Sequence, residues 1–416
     1  MKTNGEVMLG LKLRVGAAVA LVAFLAVLWI IVTGDSNGEL ATDALRAPTT
    51  TQMTSTTSTT ETSVPRPVVT SGDRGPEWRR SQTVDRDPLG EVADDASGEE
   101  PAQTPAANPA PVRIPRPSCA SSLGAASTRT APFTGLSASI PANMPAVLVK
   151  VSNNSSKSRA ALIGIDQADI VFEERIEASA TRFAAVFHSS LPANVGPVRS
   201  GRTTDIQITQ NLSRPVMGYS GSNAGVAAQI KFAADNNLLV PYVNTDSAPF
   251  ARDSRYSAPD NLFVDPASLG ACGGGGNPTP IFSYGAASST TAQPASSVSL
   301  QARSPYRFDW NGSGWTRSQD GYAHTTRTGE PIAPTNVVVL FVPYVQSVID
   351  SASVDAETIG SGNAWVFRDG TVTQGSWTRG KGHEPYTLTD GNGTATTLEP
   401  GQTWVVLAPA GSASFG

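Results

Sequence analysis

Two arginines three residues apart, Arg199 and Arg202, stand in the stretch "NVGPVRSGRTTD" (194–205) of a chain in which only 16% of residues are charged. Guanidinium groups at that spacing are suited to clamp one phosphate or carboxylate, because each offers a planar fork of donors matched to an oxyanion. Gly196-Pro197 makes a turn just before them, and Thr203, Thr204 or Asp205 is placed to cap a helix running to about Leu212. Such a helix start would add unpaired backbone N–H groups and a positive dipole end to the same corner. Arg182, in "TRFAAVFHS" (181–189), is a third candidate for this anion pocket. The competing interpretation is structural: both arginines pair with Glu173, Glu174 or Glu177 and merely hold the turn.

Two further stretches carry polar groups suited to a ligand. "RPVMGYSGSNAGVAAQIKFAADNN" reads as a strand to Tyr219, a small-residue loop with Ser220, and a helix from about Asn223 to Asn236. Its glycine spacing fits neither a dinucleotide fingerprint nor a phosphate-loop lysine motif. "GYSGS" misses the nucleophile-elbow pattern by one position, with Ser222 where a second Gly belongs. "FARDSRYSAPDNLFV" (250–264) then adds Arg252, Arg255, Asp260 and Asn261 in a Pro-containing loop. On the acidic side, Glu173, Glu177 and Asp205 are candidate partners of the arginines or ligands of a hard cation. Glu173 and Glu177 would form an acid/base pair only if the chain between them coiled into a helical turn. His188, His324 and His383 stand alone, without metal-ligand spacing, so neither metal nor cofactor is expected.

The elements that must position these residues begin near residue 118. "PAVLVKV" (145–151), "ADIVFEE" and "TRFAAVFHS" are strand candidates. In the last, Phe183, Ala185 and Phe187 share one face, with Ala184 and Val186 on the other. A strand apolar on both faces is central and covered on both sides. Arg182 and His188 point the same way but sit about 20 Å apart in a regular strand, too far to share a site.

Ahead of this region the sequence is of another kind. "VGAAVALVAFLAVLWIIVT" (15–33) carries no charge and is long enough to cross about 30 Å of hydrocarbon. Lys2, Lys12 and Arg14 precede it, so residues 1–14 are expected in the cytoplasm and everything after 33 outside, with 15–33 an uncleaved signal anchor. A cleaved signal peptide is the alternative. Residues 34–117 are a Thr-, Pro- and Ala-rich linker expected to be disordered, since few apolar side chains offset the entropy of ordering. A net charge of −5 argues against a general nucleic-acid binder, which needs a basic stripe.

"FTGL", "ADIVFEERIEASATRFAAVFHS", "VGPVRSGR", "GYSGS" and "RDSRYSAPDNLF" occur in the order seen in the YerB-like family of bacterial envelope proteins, which this chain resembles over roughly residues 131–410. That family is a lipoprotein-type domain of unknown function, often anchored through a cysteine. The resemblance implies an extracytoplasmic two-part module, not a reaction. Where the family pattern often has a His just before the Asn-Leu pair, this chain has Asp260.

The fold expected is α+β: an α/β subdomain over 118–275, then a mainly antiparallel β subdomain over 285–412. "AWVFRDGTVTQGSW" is a hairpin signal with Asp369-Gly370 at its turn. Trp377 and Trp404 are candidates to stack on sugar rings, with hairpin packing the plainer alternative. The two cysteines, Cys119 and Cys272, are expected to form a disulfide outside the cytoplasm. Three functions follow as expectations. The first is an envelope protein that binds an anionic wall component. The second is a phosphotransferase or hydrolase of a phosphorylated envelope precursor, whose arginine-bearing strands are similar in arrangement to LytR-CpsA-Psr phosphotransferases without a full motif match. The third is a scaffold for wall-synthesis partners.

Overall fold

A computed structural model describes residues 123–244, 249–349 and 352–416. The run 15–33, the linker 34–117 and Cys119 lie outside these residues, and no helix among the described residues is long and apolar enough to cross a membrane. The described region is mostly β with few helices.

Its centre is an eleven-stranded mixed sheet. Across the sheet the order is Gln293–Pro294, Thr371–Arg379, Gly360–Arg368, Asn336–Phe341, Thr403–Ala408, Ile170–Arg175, Thr181–Phe187, Val147–Val151, Val216–Tyr219 and Val240–Val243, with Thr387–Asp390 paired onto Thr371–Arg379. Both halves expected from the sequence therefore send strands into one sheet. The join is parallel, Thr403 lying opposite Ile170 and Val406 opposite Glu173. The cause is legible in "NVVVLF" and "TWVVLA", whose runs lack polar alternation and must be covered on both faces. Within the second half the pairings are mainly antiparallel, as in the hairpin Gly360–Arg368/Thr371–Arg379, with Asn336–Phe341 and Thr403–Ala408 as a parallel pair. That hairpin turns at Asp369 and Gly370, both with positive φ (46° and 65°), the geometry a two-residue Asp-Gly turn favours.

One face of the sheet packs against a five-stranded antiparallel sheet ordered Tyr322–Ala323, Trp315–Gln319, Tyr306–Trp310, Ser297–Leu300, Ala413–Phe415. Val298, Phe308 and Trp315 meet Phe183, Val337, Phe367 and Trp404 in that layer. The opposite face is covered by the helices Thr203–Thr209 and Ala224–Asp235, through Ile208, Val226, Ile230 and Ala233. Thr181–Phe187 is buried along its whole length, with Phe183, Ala185 and Phe187 toward the second sheet and Ala184 and Val186 toward the helices.

Candidate functional site

Three adjacent strands bring charge to the helix-covered face at one end. Glu174 lies directly opposite Arg182 across the antiparallel pair Ile170–Arg175/Thr181–Phe187. Lys150 lies opposite Ala184, two residues along from Arg182, and so shares its face. The chain then crosses these strand ends: Arg199 N donates to Lys150 O at 2.9 Å, Ser220 N to Arg199 O at 2.9 Å, and Gly201 N to Gly221 O at 3.1 Å. The backbone at Gly201 runs close against the side chains beneath it: a Cβ there would stand 2.9 Å from Ile230 Cδ1 and 3.2 Å from Met217 and Tyr219, so those side chains would have to shift. Thr203–Thr209 starts next, and its third residue, Asp205, turns back over the sheet to accept from Arg202 N at 2.7 Å.

Beneath the corner sits a fully buried cluster. Lys150 Nζ donates to Asp205 Oδ1 at 2.7 Å and to Glu174 Oε1. Burial, with the Asp205 charge beside it, pushes the Glu174 carboxyl up to about 7 against the opposing pull of Lys150. Above it stand the three arginines. Arg199 Nη2 meets Asp260 Oδ1 at 2.8 Å, and Arg202 Nη2 meets Glu177 Oε2 at 2.8 Å. Burial raises Glu177, but hydrogen bonds from Arg202 and Ser353 and the Arg202 charge outweigh it and hold the carboxyl at about 2.

Arg182 differs from its neighbours. It is 6% exposed, donates from Nη1 to Ser200 O at 3.2 Å, and forms no ion pair among the described residues. Burial lowers its pKa to about 10, with Arg202 and Arg199 pushing the same way and Glu174 and Glu177 opposing. Its Nε, like those of Arg199 and Arg202, is buried without an acceptor among the described residues.

The expected site residues divide accordingly. Arg182, Arg199 and Arg202 do converge, but the structural interpretation is realised for Arg202 through Glu177. Glu173 does not belong here. It alternates to the other face, where its carboxylate takes hydrogen bonds from Arg317 (2.9 Å), Trp404 Nε1 (2.9 Å) and Thr181 (2.8 Å), so a Glu173–Glu177 acid/base pair is ruled out by the strand between them. The helix start is largely occupied by protein groups: the Thr203 hydroxyl bonds Asp355, and Thr204 Oγ1 accepts from Ala356 N at 3.0 Å. Ser220 lies in the adjoining loop, and Asn223 caps Ala224–Asp235 by accepting from Val226 N at 2.8 Å. Arg252 Nη1 donates to Asn261 Oδ1 at 3.0 Å, an exposed contact in the flanking loop. Trp377 and Trp404 are buried (1% and 0% exposed), with their indole N–H groups on Phe341 O and Glu173, so neither is free to stack on a sugar. His188, at the far end of the same strand as Arg182, lines a separate cavity of about 780 Å³ with Arg129 and Tyr284, and burial lowers its pKa to about 4.

Residues 133–275 match the family model described as the N-terminal domain of a protein of unknown function (DUF3048), and residues 296–405 match its C-terminal domain, together more than half of the chain. The chain belongs to the YerB-like family. It is 27% identical over 295 residues to "Putative lipoprotein YerB" of Bacillus subtilis (strain 168), covering 67% of this chain and 86% of that protein. The crystal structure of the YerB protein from Bacillus subtilis aligns with a TM-score of 0.60 at 23% identity, over 69% of this chain and 99% of that one, which is a likeness of fold. Set against the YerB-like motifs, the residue that sequence reasoning passed over is Lys150, read only as part of "PAVLVKV"; Asp260 is read in its loop and as a departure from the family pattern, but not as the partner of Arg199. A single charge inside a strand apolar on both faces was the available signal for Lys150, since such a charge must find partners. Asp260 carried no local signal; its partner Arg199 is 61 residues away.

Proposed function

We propose that this protein is a membrane-anchored, extracytoplasmic envelope protein whose arginine corner binds an anionic group, phosphate or carboxylate, of an envelope component. The observation that carries this reading is Arg182: a nearly buried guanidinium with no carboxylate partner among the described residues, within the electrostatic reach of two further arginines. A guanidinium costs several kcal/mol to desolvate unless an anion completes it, and the nearby carboxylates are already committed, Glu177 to Arg202, Asp260 to Arg199, and Glu174 and Asp205 to Lys150. The lipoprotein name of the Bacillus relative and the charge-flanked run 15–33 support placement at the membrane surface.

Calorimetric titration with phosphate and pyrophosphate tests this. Charge-assisted hydrogen bonds contribute about 1.5–3 kcal/mol each, so Arg182→Ala should weaken binding about ten- to a hundredfold, and added salt should weaken the wild type. Wild-type affinity in Arg182→Ala, with the fold intact by circular dichroism, sinks the proposal. A hydrolase or phosphotransferase is the second reading, favoured by Glu174, whose carboxyl titrates near neutrality behind Arg182 with Oε2 unpartnered. Product release from a pyrophosphate-linked precursor, lost in Glu174→Gln, would distinguish it from simple binding.

A further inference from the structure

The hairpin Gly360–Arg368/Thr371–Arg379 carries a second surface that the arginine corner does not use. Along the face toward the small sheet, Trp365 stands directly opposite Gln374 on one side and Val339 on the other. Asn363 and Phe341, each two residues further along its own strand, share that face. The inner part of this face, Val337, Phe367 and Val372, is sealed by the five-stranded sheet. The cover ends at its edge strand Ala413–Phe415. Beyond that edge Phe341, Trp365, Asn363 and Gln374 line an open groove of about 460 Å³, with Gly411 on the opposite wall.

Three features define what fits there. Trp365 is only half-buried and held upright by edge-to-face contacts with Phe341 (4.9 Å, 78°) and Phe415 (5.0 Å, 83°), which fix the ring before any ligand arrives. Its indole N–H and the carboxamides of Asn363 and Gln374 make no hydrogen bond to the described residues, unlike the N–H groups of Trp377 and Trp404. None of the described lining residues is charged.

The geometry points to a binding site for a neutral saccharide in this groove. A pyranose ring has an apolar face of C–H bonds, which an aromatic ring accommodates, and a rim of hydroxyls that both donate and accept. Carboxamides both donate and accept as well, so a pair of them flanking an aromatic plate matches that rim, whereas an anion would find no cation here. The volume lies in the range of small-molecule sites. This site is independent of the arginine corner in location and chemistry, and its test succeeds or fails separately.

Tryptophan fluorescence and saturation-transfer NMR with cellotriose, maltotriose and chitotriose should show binding of at least one, at concentrations up to about 10 mM, the range in which a site of few contacts still binds. Trp365→Ala should abolish the signal, Trp365→Phe should retain part of it, and Asn363→Ala/Gln374→Ala should weaken binding about tenfold or more. Binding should persist at high salt, because no charge is involved. Absence of binding to all three sugars overturns the assignment. So does unchanged binding in Trp365→Ala or in the double carboxamide variant, and so does a salt-sensitive affinity lost in Arg182→Ala, which would place the sugar at the other site. A concentration-dependent dimer abolished by Trp365→Ala, with no sugar effect, overturns it in favour of self-association.

Discussion

Replacing Glu173 tests how the two sheets are pinned together. Glu173 is fully buried on the central sheet, and Arg317, equally buried, reaches it from the second sheet at 2.9 Å. The guanidinium is ringed by Tyr306 (4.5 Å), Phe183 (5.4 Å), Trp404 (5.6 Å) and Phe308 (5.7 Å), so no water replaces a lost carboxylate easily. Glu173→Gln removes the charge and keeps a single acceptor oxygen, whereas Trp404 Nε1 and Thr181 donate to different carboxylate oxygens, so one of them faces an amide N–H instead. Breaking a buried pair from one side costs about 3–5 kcal/mol because the remaining charge is stranded. Glu173→Ala also leaves two donors without acceptors, at about 1–3 kcal/mol each, though these costs overlap within one network. Against a domain stability of about 5–15 kcal/mol, Glu173→Ala should sit close to unfolding, and Glu173→Gln should lose roughly a third or more. Urea denaturation at pH 7 measures both. The double variant Glu173→Leu/Arg317→Met should recover most of the loss, since apolar replacement of a buried pair is often neutral or better. A Glu173→Gln cost below about 1 kcal/mol would refute the reasoning, because it would mean Arg317 finds other compensation.

Three further outcomes are expected. Glu174 has its carboxyl raised from 4.5 to about 7, so the native state binds the extra proton and Glu174's contribution to stability falls as pH rises through that window; Glu174→Gln should flatten the fall, measured as melting temperature against pH relative to wild type. Arg202→Ala removes a partly exposed pair and should cost no more than about 1 kcal/mol. The Glu177 stabilisation it removes is present above 4.5 and lost as pH falls toward 2, so the two proteins should converge in acid, and a gap that widened there would contradict the assignment. Finally, protease added outside intact cells should release a fragment starting near residue 115, carrying a Cys119–Cys272 bridge by non-reducing mass mapping; a protected C-terminus or two free thiols would contradict, respectively, the topology and the bridge.

The elements of the site were largely legible in sequence. Helix Ala224–Asp235, the strand ending at Tyr219 and the Asp369-Gly370 hairpin follow from residue patterning and turn chemistry, which act within a few residues, while the Asn223 cap emerged only in the structure. The helix at Thr203 was legible in its start but not its length: it stops at Thr209, and its first turn is taken up by Asp355 and Ala356, some 150 residues on. The convergence of Arg182 with Arg199 and Arg202 was readable only as a possibility of the turn.

What the sequence determined by itself is thus local. The two-sided apolar pattern of Thr181–Phe187 makes it a central strand, and the period of two puts Glu173 and Glu174 on opposite faces once that stretch is extended. Tertiary structure alone decided which charge met which: Lys150 with Glu174 and Asp205, Arg199 with Asp260, Arg317 with Glu173. It likewise decided that Trp404 is a core residue while Trp365 reaches the rim of the second sheet. Burial and charge pairing depend on which strands become neighbours, and here the neighbours Thr403–Ala408 and Ile170–Arg175 come from opposite ends of the described chain. No local rule of spacing encodes that adjacency, because it is set by covering every two-sided apolar strand at once.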